Sequence, residues 1–461
     1  MPGRVNTRFV LILSAVLCAI TGAVAFAYFY FVVRMDPGRN LERAEAMLQA
    51  GDIAGAAEQL GRAYRKQQSD VNLLLRYIET VEQIESEDRQ QAGIHLQTIM
   101  NGRASATMLR PTDEKLLGDY FEMERELRSW ERMAQTANDR LKTYPDLLVA
   151  RKYRGIAQVN RMAAGLTMNE EEREQPRQDL TQVLMQNPND VLTHYHLALW
   201  HVLQADHHNR PGGDVDQVEP LRAEALKLTQ QLAEQHGDNP EAMEYVVRLY
   251  VSLQERNAAA EVLERLEAAM LNKPEPVDRV VATADLIRTL KTGTVQQPQG
   301  QTLPAGVVGA IQLLETALAK DPRNLQLKVP LARWLMLSNQ YDRAMELLKE
   351  VRATKVKAKP FEALRAFSLH DLGTMLYCDL VLRRLDDNDP AARESALQEV
   401  QTLVDAITRI NPGLEGWTRA LRARVYLAQG SVARAADAMD EAIAAMRSGR
   451  GGDVFLLTEA Y

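Results

Sequence analysis

Ala310, Leu314 and Ala317 recur as Ala344, Leu348 and Val351, each after a step of 34 residues. That step constrains the fold more than any bulk property, because it is the length of one helix–turn–helix unit. Such a unit has an apolar face that it cannot bury alone, so several must stack before any is stable. Between the triplets lie Asp321-Pro322, where a helix stops, then Leu331 and Ala332, then Tyr341. The chain is therefore expected to be all-α, a row of helix pairs each resting on the next. A stack of this kind ordinarily offers a binding surface rather than a reaction vessel.

The rest of the sequence agrees with a helical reading. Apolar residues make up 46% of the 461 and charged residues 25%, and no stretch shows the strict alternation of a half-buried strand. Net charge is -7, and no basic stripe with interleaved aromatics is present, so no nucleic-acid partner is expected. The two cysteines, Cys18 and Cys378, supply neither a plausible internal disulfide nor a cysteine-based metal site.

Read in order, the first pair places Ala44 and Met47 on one helix, Gly51-Asp52-Ile53 at the turn, and Ala56, Leu60 and Ala63 on the second. Later pairs are punctuated by Tyr144-Pro145, Asn187-Pro188, Asn239-Pro240 and Asn411-Pro412. The last, with Ala423, Tyr426, Gly430, Ala435, Met439 and Ala442, matches the first closely. On these spacings residues 41–448 resemble the tetratricopeptide repeat family. The resemblance implies a right-handed α-solenoid of about ten helical hairpins. It also implies a protein or peptide partner, because such repeats commonly bind extended peptides or helices along a concave face lined by first helices. In the best-registered unit those positions are Gln326, Val329, Arg333, Met336 and Leu337. The lysine and asparagine pattern that clamps a peptide carboxylate in some chaperone-binding members is absent, since Val329 and Arg333 hold two of its slots.

Two insertions break the step: Asp206 to Val218, with Pro211-Gly212-Gly213, and Thr292 to Pro304. Both read as surface loops, with a contact loop as the alternative. At the carboxyl end, Gly449 to Gly452 breaks the helix and Val454 to Tyr461 begins a further one. That ending predicts either a poor cap or the front part of a longer protein.

Ahead of the repeats, residues 1–8 form a short basic tail and residues 34–40 a linker. Between them Phe9 to Val33 is a run of 25 residues without a charge. As a helix it would reach roughly 37 Å, more than a hydrocarbon core of about 30 Å. The expectation is a transmembrane helix with ends at Phe9 and Val33, anchoring a single-pass protein in a bacterial-type inner membrane. The balance of Arg4 and Arg8 against Arg34, Arg39 and Arg43 leaves orientation open, with the repeats placed outside the cytoplasm. A cleaved signal peptide ending near Ala23-Val24-Ala25 is the rival.

Candidate chemistry is sparse. Five of the eight histidines, His194, His196, His201, His207 and His208, fall in one window. On a helix His194 and His201 are about 10.5 Å apart along the axis, too far for one ion, and no pair has i, i+4 spacing. They read as packing residues in slots usually held by Trp and Tyr, with metal handling as the alternative. Asp386-Asp387-Asn388-Asp389 reads as a turn capping the helix after Pro390, and Glu170-Glu171-Glu172 as a helix first turn. No nucleophile elbow, phosphate loop, HExxH or dinucleotide fingerprint occurs, so no catalytic, cofactor-binding or metal-ligating residues are expected, and no cofactor. The function read from sequence is a membrane-anchored scaffold that assembles proteins. The alternatives are the anchor of a larger enzyme or secretion component extending past residue 461, and a regulator resembling membrane-anchored repeat proteins of lipopolysaccharide control. The cysteine-rich metal knuckle of that last group cannot be built here.

Overall fold

The computed structural model describes residues 7–28, 37–272, 275–296, 302–386 and 388–447. Among the described residues, 21 α-helices follow one another. Helix α1 spans Thr7–Tyr28, and the rest fall into sequence-consecutive pairs. These are α2 (Gly38–Gln49) with α3 (Ile53–Lys66), α4 (Val71–Val81) with α5 (Arg89–Leu109), and α6 (Glu114–Glu126) with α7 (Trp130–Thr143). Next come α8 (Leu148–Ala163) with α9 (Glu170–Gln186), α10 (Val191–His208) with α11 (Val218–Gln235), and α12 (Pro240–Ser252) with α13 (Arg256–Asn272). Then follow α14 (Val277–Leu290) with α15 (Ala305–Lys320), and α16 (Leu325–Leu337) with α17 (Tyr341–Ala353). The last two are α18 (Pro360–Arg383) with α19 (Pro390–Ile410), and α20 (Glu415–Ala428) with α21 (Val432–Arg447).

The chain divides into two compact units, Met1–Leu127 with Lys357–Phe361, and Arg128–Val356 with Glu362–Tyr461. In the first, Ala44, Leu60, Ala63 and Leu73 form a core from three successive helices, edged by Leu41, Tyr64 and Tyr77. A backbone bridge in which Ser86 N donates to Ala358 O at 2.8 Å draws the short segment 357–361 into that unit. In the second, Ala310, Leu314, Ala344, Leu348 and Val351 are all buried. Five of the six residues that recur at the step of 34 are thus hidden from water, and Ala317 is half-buried.

The helix ends follow local chemistry. Asp52, Asp70, Asp113, Asp190 and Asp389 each accept a hydrogen bond from a backbone N–H in the first turn of the next helix. Asn169 and Glu172 form a reciprocal capping box that opens α9. The acidic run 170–172 is accordingly the first turn of a helix, where the dipole favours carboxylates.

Several turns inside a pair place one residue in the left-handed region. Gly51 (φ 80°) and Gly430 (φ 77°) take it freely, but Gln254 (φ 65°) and Asn339 (φ 58°) occupy the same kind of turn with a Cβ. Asparagine tolerates that conformation better than glutamine does. Gln254→Gly is therefore expected to raise the unfolding free energy by about 0.5–1 kcal/mol, read as a higher urea midpoint.

Two expectations change. The second insertion is not a plain loop, because Thr294–Gln296 (β1) pairs antiparallel with Thr302–Pro304 (β2) and buries Leu303. Three-residue strands are too short to show as alternation in the sequence. The membrane anchor is corrected as well. Among the described residues no helix is long and apolar enough to cross a membrane. Helix α1 covers Thr7–Tyr28 rather than the whole run from Phe9 to Val33, and residues 29–33, which gave that run its length, lie outside the described residues. The transmembrane helix and the single-pass location in an inner membrane are withdrawn with it. Residues 1–6 of the basic tail and the final segment 448–461 also lie outside the described residues.

Candidate functional site

Helix α16 opens with Asn324, whose side chain accepts from Gln326 N at 2.9 Å. Its apolar residues leave little of its circumference uncovered. Leu325, Leu327, Leu331, Ala332, Trp334 and Leu335 are buried, and so are Val329 and Met336 from the expected groove set. Val329 is turned toward α18: a Cβ added at Gly373 would lie 3.3 Å from its Cγ2. Gly373 lets α18 settle on Val329 and Val351, and any side chain there would push it off.

What remains is a single stripe. Gln326, Pro330 and Arg333 are half-buried and Leu337 is 39% exposed. Their spacing, i, i+4, i+7, i+11, puts all four on one face of the helix. Pro330 sits inside the helix and has no N–H to donate to the Gln326 carbonyl four residues earlier. The Gln326 carbonyl on the stripe thus lacks its usual i+4 donor. The Arg333 guanidinium lies 5.1 Å from the centre of the Trp334 ring, and Arg288 of α14 lies 5.1 Å from the same ring. Cation–π contact of this kind holds both guanidinium planes against the indole. Arg365 of α18 pairs with Asp278 of α14. That pair links the first helices of the pairs that precede and follow α16. Sequence reasoning placed Gln326, Arg333 and Leu337 on this surface but missed Pro330. Its signal was available, as a proline four residues beyond a polar position in a helical pattern.

The histidine window forms α10. His196 is buried, with Nδ1 2.8 Å from Leu192 O and Nε2 3.1 Å from Asn160 Nδ2 of α8. His194 is buried near His236, His201 packs edge-on against Trp200 (centroids 4.8 Å apart), and His207 meets His208 at the helix end. Among the described residues no three His, Cys, Asp or Glu side chains are grouped to hold a metal ion. The first insertion walls a cleft of about 770 Å³ lined by Trp200, Gln204, His207, His208, Asp214 and Leu221, which no sequence signal announced.

Burial, offset in part by Glu224, drives the His201 pKa down to about 4. The folded form therefore resists protonation, whereas the unfolded chain takes up a proton near pH 6.5. The stability that this group adds is complete above about pH 6.5 and is lost as pH falls from there to about 4. The melting temperature is expected to drop over that window, and His201→Phe to flatten the drop.

Residues 307–366 match the family model for the tetratricopeptide repeat. The match is confined to this segment of 60 residues. It runs from the start of α15 into α18 and contains all five residues of the expected groove. Solved structures that resemble the chain include a tetratricopeptide repeat protein from Parabacteroides merdae ATCC 43184. It is 15% identical, with a TM-score of 0.40, and the match covers 64% of this chain and 97% of that one. A human IFIT1 dimer with PPP-AAAA is 14% identical over 87% of this chain and 89% of that one, with a TM-score of 0.36. Yeast Tom70 is 12% identical over 92% and 95%, with a TM-score of 0.33. No curated protein matches the chain. In the repeat segment, Tyr341 opens α17 directly after the left-handed Asn339, so the turn aromatic and the turn conformation fall where the sequence step placed them.

Proposed function

We propose that the α16 stripe holds an extended segment of a partner protein, and that the chain works by recruitment rather than by catalysis. The chain is a tetratricopeptide-type repeat scaffold, the kind of protein that binds protein or peptide partners. The observation that supports this stripe as the docking place is the coincidence of Gln326, Pro330, Arg333 and Leu337 on one face of a helix otherwise buried. Each of the four supplies something an extended peptide uses. The Gln326 carbonyl accepts a main-chain N–H, Arg333 takes a carboxylate, and Pro330 and Leu337 give apolar contact. A partner segment with an acidic residue among apolar ones fits that order.

Photo-crosslinking side chains placed at Gln326 and at Leu337, with Glu394 on α19 as a control position, test the assignment. One protein captured from both stripe positions, lost when Arg333→Glu is added and not captured from Glu394, is the expected result. Capture that survives Arg333→Glu in a chain that still melts normally would remove the stripe from consideration.

A further inference from the structure

The first insertion builds a wall beside α10. A Cβ at Gly213 would collide with the His208 carbonyl, so the chain folds back hard against the end of that helix. Asp214 then caps the single 3₁₀ turn Val215–Gln217, accepting from Asp216 N at 3.2 Å. The cleft of about 770 Å³ is lined by this wall, by α10 and by the first turns of α9. Its floor is apolar: Trp200 is 4% exposed and Met168 6%, with Leu221 half-buried beside them. Gln204, 7% exposed, is the polar point in that floor. Trp200 Nε1 donates to the Arg173 carbonyl at 2.6 Å, and Gln204 Nε2 reaches the same oxygen at 3.5 Å. That contact fixes which end of the amide is nitrogen and leaves Oε1 as the free end. Among the described residues Oε1 accepts no hydrogen bond, and it is not sealed from solvent, so it opens on the cleft that Gln204 lines.

The rim is acidic. Glu170, Glu171 and Asp214 line the cleft, and none of the three has an ion pair among the described residues. Glu174 on the same lining is matched by Arg177. Arg173 is the one guanidinium on the lining, and its Nε donates to Met168 O at 3.1 Å. Burial, then the charge of Arg173, holds the His207 pKa below its ordinary value, so that ring adds no cation at neutral pH. We infer that this cleft binds a ligand with a cationic head on an apolar stem, the chemistry of an arginine or lysine side chain. The stem lies along Met168 and Leu221, and the head donates to Gln204 Oε1. Glu170, Glu171 and Asp214 supply the counter-charge. An anion would meet three unneutralised carboxylates, and a wholly apolar ligand would leave Gln204 Oε1 without a donor. The cleft shares no residue with the α16 stripe, so the two assignments stand or fall separately.

Titration calorimetry of the full-length chain tests this with two probes, butylguanidinium and the peptide acetyl-Ala-Ala-Arg-Ala-Ala-amide. Butylurea and the same peptide with citrulline in place of arginine are their uncharged counterparts of equal shape. Saturable binding of one charged probe per chain is expected, at least tenfold tighter than its uncharged counterpart and weakened by added salt. A peptide that binds at least tenfold more tightly than butylguanidinium assigns the cleft to a side chain of a partner protein. Equal affinities assign it to a free small cation. Gln204→Leu is expected to weaken the charged probe at least tenfold. Should that variant melt early, the double variant Glu170→Gln with Glu171→Gln carries the test, since both residues are exposed and neither belongs to the capping box. It too is expected to weaken binding, and to remove most of the salt dependence. No saturable binding of either charged probe at millimolar concentration would overturn the inference. So would uncharged probes that bind as tightly as the charged ones, or affinities left unchanged by the double variant.

Discussion

Asp179→Ala is expected to lower the unfolding free energy by about 3–5 kcal/mol, the usual cost of removing one partner from a buried ion pair. The side chain is 0% exposed and lies between two guanidiniums. Arg154 grips both carboxylate oxygens, Nε to Oδ2 at 2.6 Å and Nη2 to Oδ1 at 2.7 Å. Arg151 Nη1 and Gln175 Nε2 each reach Oδ1 at 3.4 Å. Taking away the carboxylate leaves two cations against each other with little water to solvate them. Asp179→Asn keeps the shape and some acceptors, so it should cost less than the alanine change but still more than a surface substitution. Replacing the tighter pair with apolar residues, Asp179→Leu with Arg154→Met, is expected to recover part of the loss, because it removes one stranded charge and leaves Arg151 its bonds to the Pro145 carbonyl. Urea unfolding of the three variants reads the order directly.

Trp334→Ala is the second large effect, expected at about 3–5 kcal/mol. Trp334 is among the largest fully buried side chains of the chain, and it seats the guanidiniums of Arg288 and Arg333. Its loss opens a cavity between α14 and α16 and frees Arg333 from the position that defines the docking stripe. Partner capture through Gln326 and Leu337 should therefore fall together with stability. Trp334→Phe, which keeps most of the volume, should restore the greater part of both.

Much of this was written in the sequence. The step from Ala310 to Ala344 located α15 and α17, Asp389 before Pro390 located the start of α19, and the glycine at 430 located the last turn. Those signals are local: a cap, a break or a periodic apolar residue acts within its own helix. The α16 surface was legible only in part for the opposite reason. That helix is apolar on nearly every side, so its own sequence does not separate residues that face a partner from residues that face α18. Val329 is covered by α18, which comes later in the chain, and Gly373, more than 40 residues away, is what lets that helix approach. The cleft beside α10 and the β1–β2 pairing were invisible on the same ground, since each depends on where an insertion folds back. The uncharged run at the amino end shows the reverse error, a strong local pattern read as a membrane span that the described helix does not carry.

Hydrogen exchange of the intact protein, wild type against Trp334→Ala, measures whether the helix pairs stabilise one another only through adjacent faces. In a stack of repeats the loss is expected to be greatest in α14 to α18 and to fade toward α8 and α9, which keep their wild-type rates. Equal acceleration of every helix from α7 to α21 would mean one closed core shared by all of them, and the repeat architecture would not stand.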